Sequence, residues 1–243
     1  MNGDLRNVLL QQVFQAIIPI RMLKKTPVST VFFVLLLLAT VGCAGKKLSP
    51  SPALFEVSEN AARLFDGASF DGWEKGNEFF RVEDESIVGG SLENPIPQNE
   101  FLCTERQYSN FRLKLETRLL GDQTNAGIQF HSERIPDDNE VIGYQADIGA
   151  GYWGGLYDES RRNRLMAAAD DQLIEEILNV GDWNVYELEA DGPDIRIAIN
   201  GRQTISYREG DPDIPLEGHI CLQIHSGPPG EVWYKSILID ETR

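Results

Sequence analysis

Residues 111–119, FRLKLETRL, put Phe111, Leu113, Leu115, Thr117 and Leu119 on one side and Arg112, Lys114, Glu116 and Arg118 on the other. Strict alternation over such a run fits a half-buried β-strand and excludes an amphipathic helix, which repeats every 3.6 residues. The period returns along the chain. NAGIQF sets Ile128 and Phe130 against Gly127 and Gln129, and GYQADIG sets Tyr144, Ala146 and Ile148 against Gln145 and Asp147. GHICLQIHSG sets Ile220, Leu222 and Ile224 against Cys221, Gln223 and His225, and VWYKSILID reads as a last strand. Asp191-Gly192-Pro193 and Asn200-Gly201 read as turns, the second as a two-residue hairpin. Only Asp170–Asn179, DDQLIEEILN, has helical spacing, and it is short. Roughly a dozen short strands within about 180 residues, with no internal repeat, predict one antiparallel β-sandwich or jelly roll over residues 62–243.

The N-terminal region has a different character. Lys24 and Lys25 precede an apolar run from Val28 to Val41, then Gly42 and Cys43, the pattern of a secretion signal. The run is shorter than the ~20 residues a spanning helix needs. TVGC resembles a bacterial lipobox, with Thr40 where Leu is usual, which implies lipidation of Cys43. Residues 1–42 are therefore read as a signal region whose true start is Met22. Residues 43–61, rich in Ser, Pro and charge, are read as the lipidated cysteine and a flexible tether. The expected location is the periplasm or outer membrane, with membrane attachment only through Cys43.

Composition narrows the partners. At 42% hydrophobic and 9% aromatic, the chain has enough apolar residues for a sizeable core. Its formal net charge is −16, and without residues 1–42 it is −19. Such a surface repels phosphate backbones, which disfavours nucleic acid and leaves neutral sugars or cations as partners. Cys103 and Cys221 lack zinc-ligand spacing. Their strand-like settings predict two buried thiols, with a disulfide as the alternative in an oxidising compartment.

In chain order, LFDGASFDGW, FRLKLETRL, NAGIQFHSE, GYQADIG, GGLYDESRR, DWNVYELEADG, INGRQTISY and GHICLQIHSG followed by VWYKSILI resemble the bacterial 3-keto-disaccharide hydrolase family over roughly residues 62–240. The chain departs from it with Gln145 where the family often has Glu, and Lys235-Ser236 where it often has Arg-Asn. The resemblance implies a concanavalin A-like jelly roll and action on glycosides oxidised to a ketone at carbon 3. The ketone acidifies the hydrogen on carbon 2, so that a base can remove it, expel the glycosidic oxygen, and let water add afterwards. A divalent metal ion or hydrogen-bond donors at the ketone oxygen would stabilise the developing enediolate.

Alternation predicts the residues that carry this chemistry. If Ile128, Phe130, Tyr144, Ala146 and Ile148 are core, then Gln129 with His131, Gln145 with Asp147, Gln223 with His225, and Glu116 with Arg118 share an opposite face. His131, Asp147 and His225 are the expected acid–base residues, and His131 with Asp147 the expected holders of a metal. Arg118, Gln129, Gln145 and Gln223, with Trp153 and Tyr157 from the Gly-rich loop after Gly149, are expected to bind an oligosaccharide or glycoside. A solvated strand histidine is the competing reading of His131, and a hydrophobic plug that of Trp153. Arg161 and Arg162 are expected to pair with Asp158 and Glu159, His219 to be structural, and Trp73 and Trp183 to be core anchors. A retaining glycosidase needs two carboxylates about 5 Å apart, and YQADIG offers one, which favours elimination. The alternative from another class is a non-catalytic, lectin-like lipoprotein.

Overall fold

The computed structural model describes residues 54–75 and 77–242. The signal region, Cys43 and the tether as far as residue 53 lie outside the described residues.

Fourteen strands and one short helix follow one another: β1 (Ala62–Arg63), β2 (Phe80–Glu83), β3 (Ser86–Ser91), β4 (Glu100–Tyr108), β5 (Phe111–Leu120), β6 (Asn125–Arg134), β7 (Val141–Gly149), β8 (Leu156–Glu159), β9 (Arg164–Ala167), α1 (Asp171–Ile177), β10 (Asn184–Asp191), β11 (Asp194–Ile199), β12 (Arg202–Arg208), β13 (Gly218–Ile224) and β14 (Gly230–Glu241). They form two antiparallel sheets. The larger runs β12-β11-β10-β5-β14-β3-β2, with β1 also on β14, and the smaller runs β4-β13-β6-β7-β8-β9. The protein is an all-β two-sheet sandwich, as the alternation predicted.

Local chemistry explains several of these elements. Asn200 and Gly201 have φ of 50° and 75°, the twin positive values that a tight hairpin between β11 and β12 requires. Asp170 caps α1 by accepting a hydrogen bond from the Leu173 amide. The core between the sheets holds Phe111, Leu113, Leu115, Tyr186 and Tyr234 from the larger sheet, and Ile128, Phe130, Tyr144, Ala146, Leu222 and Ile224 from the smaller. Trp73 is fully buried and donates its indole N–H to the Leu64 carbonyl at 2.6 Å.

Three expectations are corrected. Cys103 and Cys221 form a disulfide, because antiparallel register sets them directly opposite on β4 and β13. Trp183 is no core anchor; it lies half-buried on the outer face of the larger sheet, beside the Arg118 guanidinium and the Lys235 ammonium. The described end of the tether is packed down: Phe55 is buried under Arg112, and the Leu54 amide bonds Glu187 on β10.

Candidate functional site

The smaller sheet turns its apolar side chains inward and its polar ones away from the larger sheet. Register aligns Cys103, Cys221, Gln129, Gln145 and Tyr157 in one row across five strands. The next row, about 7 Å along the strands, holds Phe101, Gln223, Gly127 and Asp147. Glutamine side chains thus converge from β6, β7 and β13, and a carboxylate stands at one end.

These side chains are buried: Gln129 and Gln223 are 0% exposed, Asp147 3% and Gln145 4%. A hydrogen-bond chain links three of them, with Gln129 Nε2 donating to Gln145 Oε1 at 2.6 Å and Gln145 Nε2 donating to Asp147 Oδ1 at 2.6 Å. Asp147 Oδ2, Gln129 Oε1 and both amide atoms of Gln223 have no partner. Buried polar atoms left unpaired cost about 1–3 kcal/mol each, so a concentration of them marks a place built to receive hydroxyls or water. Gly127 leaves room for the Gln145 side chain, which lies over it, since a Cβ there would come within 2.4 Å of that side chain.

The larger sheet holds this floor from behind. The Tyr234 hydroxyl sits 3.0 and 2.9 Å from the carbonyls of Gly127 and Gln223. The Tyr186 hydroxyl donates to the Asp147 carbonyl at 2.5 Å and accepts from the Gly154 amide at 2.9 Å. The Gly154-Gly155 turn also pairs with both backbone groups of Asp147. The Asp147 backbone is therefore held at both its N–H and its carbonyl.

Burial raises the Asp147 carboxyl to about 7, opposed by the Gln145 hydrogen bond and assisted by the charge of Glu159. Glu159 is also raised to about 7, first by burial and then by Glu140 and Asp158. It stands opposite Gly143 on the same face, four residues from the level of Asp147, about 13 Å along the strand, with Tyr157 between. Burial also raises the Tyr157 hydroxyl, helped by Glu159 and Asp147, so it stays protonated. Glu159, expected to pair with the arginines, lies on this face instead. Its two-residue spacing from Tyr157 was the available signal.

Not every expected residue joins this face. His131 has φ of 46°, and the register shifts at it, so that His131 and Ser132 together oppose Gly143. Such a bulge reverses the alternation. The His131 ring turns inward, edge-on to Phe111 and Phe130 at 5.8 and 5.4 Å, and donates Nε2–H to the Ser109 carbonyl at 2.7 Å. Burial lowers its pKa, assisted by Arg161. The expected pairing of His131 with Asp147 around a metal is therefore not formed, and the two do not fit a common ion. Among the described residues no group of three or more His, Cys, Asp or Glu side chains is placed to hold one.

Arg118 belongs to the other sheet, on β5 beside Trp233 of β14, which removes it from the face. Trp153 packs against the main core. His225 remains at the margin, with its amide bonding the Asn125 carbonyl and Nδ1 donating to the Ser226 carbonyl. Arg161 and Arg162 pair with buried Asp158 as expected, but the second partner of Arg162 is Glu209 and not Glu159. His219 bonds the Thr104 carbonyl, a structural role.

The two-sheet sandwich with a polar outer face places the chain among proteins of the galectin and glucanase architecture. It is similar in fold to a candidate glycosyl hydrolase from Parabacteroides distasonis (20% identity, 74% of this chain and 93% of that one, TM-score 0.57). It is similar also to the carbohydrate-binding module CBM66 of Bacillus subtilis (15% identity, 70% and 96%, TM-score 0.55) and to a Bacillus licheniformis β-glucanase (7%, 75% and 98%, TM-score 0.51). No curated protein matches the chain. Residues 60–240 match the 3-keto-alpha-glucoside-1,2-lyase-like domain, and the chain belongs to that family.

Proposed function

We propose that the protein is an enzyme that cleaves 3-keto-glycosides by elimination across carbons 1 and 2, followed by addition of water. The observation that carries this reading is the buried Asp147 carboxylate, with one oxygen held by Gln145 and the other unpartnered, facing buried amides with free atoms. A carboxyl near 7 is half ionised at neutral pH and suits a general base. Asp147 Oδ2 takes the proton from carbon 2, and the C–H electron pair moves toward the ketone as an enolate. When the enolate collapses, a carbon 1–carbon 2 double bond forms and the bond from carbon 1 to the glycosidic oxygen breaks. That oxygen takes its proton from the Tyr157 hydroxyl or from protonated Asp147, and water then adds at carbon 1. Gln223 Nε2 and the remaining amide atoms are the groups to hydrogen-bond the ketone oxygen and ring hydroxyls.

Family membership supports this reading, and the acidic surface, which leaves neutral sugars or cations as partners, is compatible with it. Export and a lipid anchor at Cys43 belong to the same proposal, since they would put the enzyme in the cell envelope where glycosides arrive. The test is release of sugar from a 3-keto-disaccharide and, separately, from its unoxidised parent, each with and without chelator. Release from the keto compound alone, lost in Asp147→Asn, is expected; equal release from both substrates sinks the elimination mechanism.

One observation favours binding without catalysis: Gln145 stands where the family often has Glu, so the face has one fewer carboxylate beside Asp147. Saturable sugar binding with no release from either substrate would select that reading.

A further inference from the structure

The β6–β7 hairpin does not continue straight beyond the bulge. In a flat hairpin residues 139–140 would lie far from the Asn125 end of β6, beyond the ~23 Å that separates Ser132 from Asn125. Instead Asn139 Nδ2 donates to the Asn99 carbonyl, and Asn99 Nδ2 donates to Glu140 Oε1 at 3.0 Å. Asn99 is at the Asn125 end of the sheet, just before β4, where its Oδ1 accepts from the Ser226 amide at 3.0 Å. The hairpin end therefore doubles back. It does so over the outer face, because Val141 packs with Phe101, Cys103 and Cys221 there.

The bend is prepared by two glycines. A Cβ at Gly143 would come within 2.1 Å of Ser132 Oγ, and one at Gly218 within 2.4 Å of the Ser132 amide nitrogen, so both flanking strands give way to the bulge. Arg134 then fastens the folded arm. Its Nη2 donates to Glu74 Oε2 at 2.6 Å and to the Phe101 carbonyl at 2.8 Å, and its Nη1 to the Asn139 carbonyl at 3.0 Å. Polar ties hold this arm to Glu74, Asn99 and the Phe101 carbonyl of β4, with one apolar plug, so it can lift without opening the main core. Glu140 rides at its end within electrostatic reach of both Glu159 and His225, with Oε2 buried and unpartnered.

We propose that residues 133–142 are a clamp over the ligand face, latched at Asn99 and Glu74, and that Glu140 is the residue the clamp brings to the sugar. Glu140 Oε2 accepts a hydrogen bond from a ring hydroxyl, and the latch opens to admit and release the glycoside. The clamp stands on the fold alone, whereas the role of Glu140 rests on the function proposed above.

The test uses the full-length protein. A thiol introduced by Gln145→Cys is expected to react with a small methanethiosulfonate reagent at least tenfold faster when Arg134→Ala or Asn99→Ala is added, at temperatures where both proteins remain folded. Equal rates overturn the clamp. Tyr157→Cys, on the same row, replaces a Gln145→Cys protein that does not fold. Glu140→Gln keeps an acceptor for Asn99 and is expected to weaken binding of methyl 3-keto-α-D-glucopyranoside at least tenfold; unchanged affinity overturns its ligand role. A wild-type protein that does not bind this probe would sink the proposed function together with the role of Glu140, while the labelling rates still decide the clamp.

Discussion

Replacing Asp147 by Asn is expected to make the protein more stable and less active at once. The carboxyl is 3% exposed and is raised from 3.8 to about 7, mainly by burial. A rise of that size corresponds to about 4 kcal/mol at ~1.4 kcal/mol per pH unit, an upper bound for one buried group. The sign follows from proton counts. Between pH 3.8 and about 7 the folded state keeps a proton that the unfolded state has released. The group's contribution is therefore complete at low pH and is lost as pH rises through about 7. Asparagine accepts from Gln145 through the same oxygen position and carries no charge to bury. The stability of Asp147→Asn minus that of wild type should therefore grow by about 3 kcal/mol between pH 5 and pH 8, read from urea unfolding at both pH values. Turnover of a 3-keto-disaccharide should fall by about 10²–10⁴, the loss of a general base. A difference independent of pH would refute the burial argument, and a stabilised variant with full turnover would refute the role of Asp147.

Replacing Cys103 and Cys221 by alanine opens a link between residues 118 apart in sequence, and is expected to cost about 2–5 kcal/mol, read as a lower denaturation midpoint. Gly218→Ala sets a Cβ against the backbone of His131 and Ser132, which cannot rotate away; a loss of about 1–3 kcal/mol is expected, and a neutral result would disprove the tight seat of the bulge. His131→Leu should retain turnover within about threefold. Wild type should lose stability as pH falls below 6.5, where the unfolded imidazole takes a proton that the buried ring resists, and this loss should be smaller in the variant. Loss of turnover in a folded His131→Leu protein would return the histidine to the site.

Much of the face was legible from alternation. Gln129, Gln145, Asp147 and Gln223 were expected on one polar face and share it, because each lies in a regular stretch of strand where side-chain direction is a property of the local backbone. Tyr157, expected as part of a Gly-rich loop, lies instead on β8 in the same row. Two assignments failed where that locality ended. His131 departs from the alternation of its sequence because it sits on a bulge, for which Gly143 and Gly218 on neighbouring strands leave room. Arg118 faces outward as expected, yet on the other sheet, since alternation gives a side and says nothing of which strands pair. Glu140 could not be found at all, because its place depends on a hairpin folding back to Asn99, 41 residues earlier.

The period of two and the Asn-Gly hairpin determined by themselves that this chain is built of antiparallel strands with one apolar and one polar side. These are short-range consequences of backbone geometry and of the entropy saved by favourable turn residues. The pairing of Cys103 with Cys221, the raised carboxyls of Asp147 and Glu159, and the arm carrying Glu140 were decided only when distant strands met. Disulfide pairing, desolvation and electrostatic coupling all depend on which groups become neighbours in space, and the register of the two sheets sets that neighbourhood.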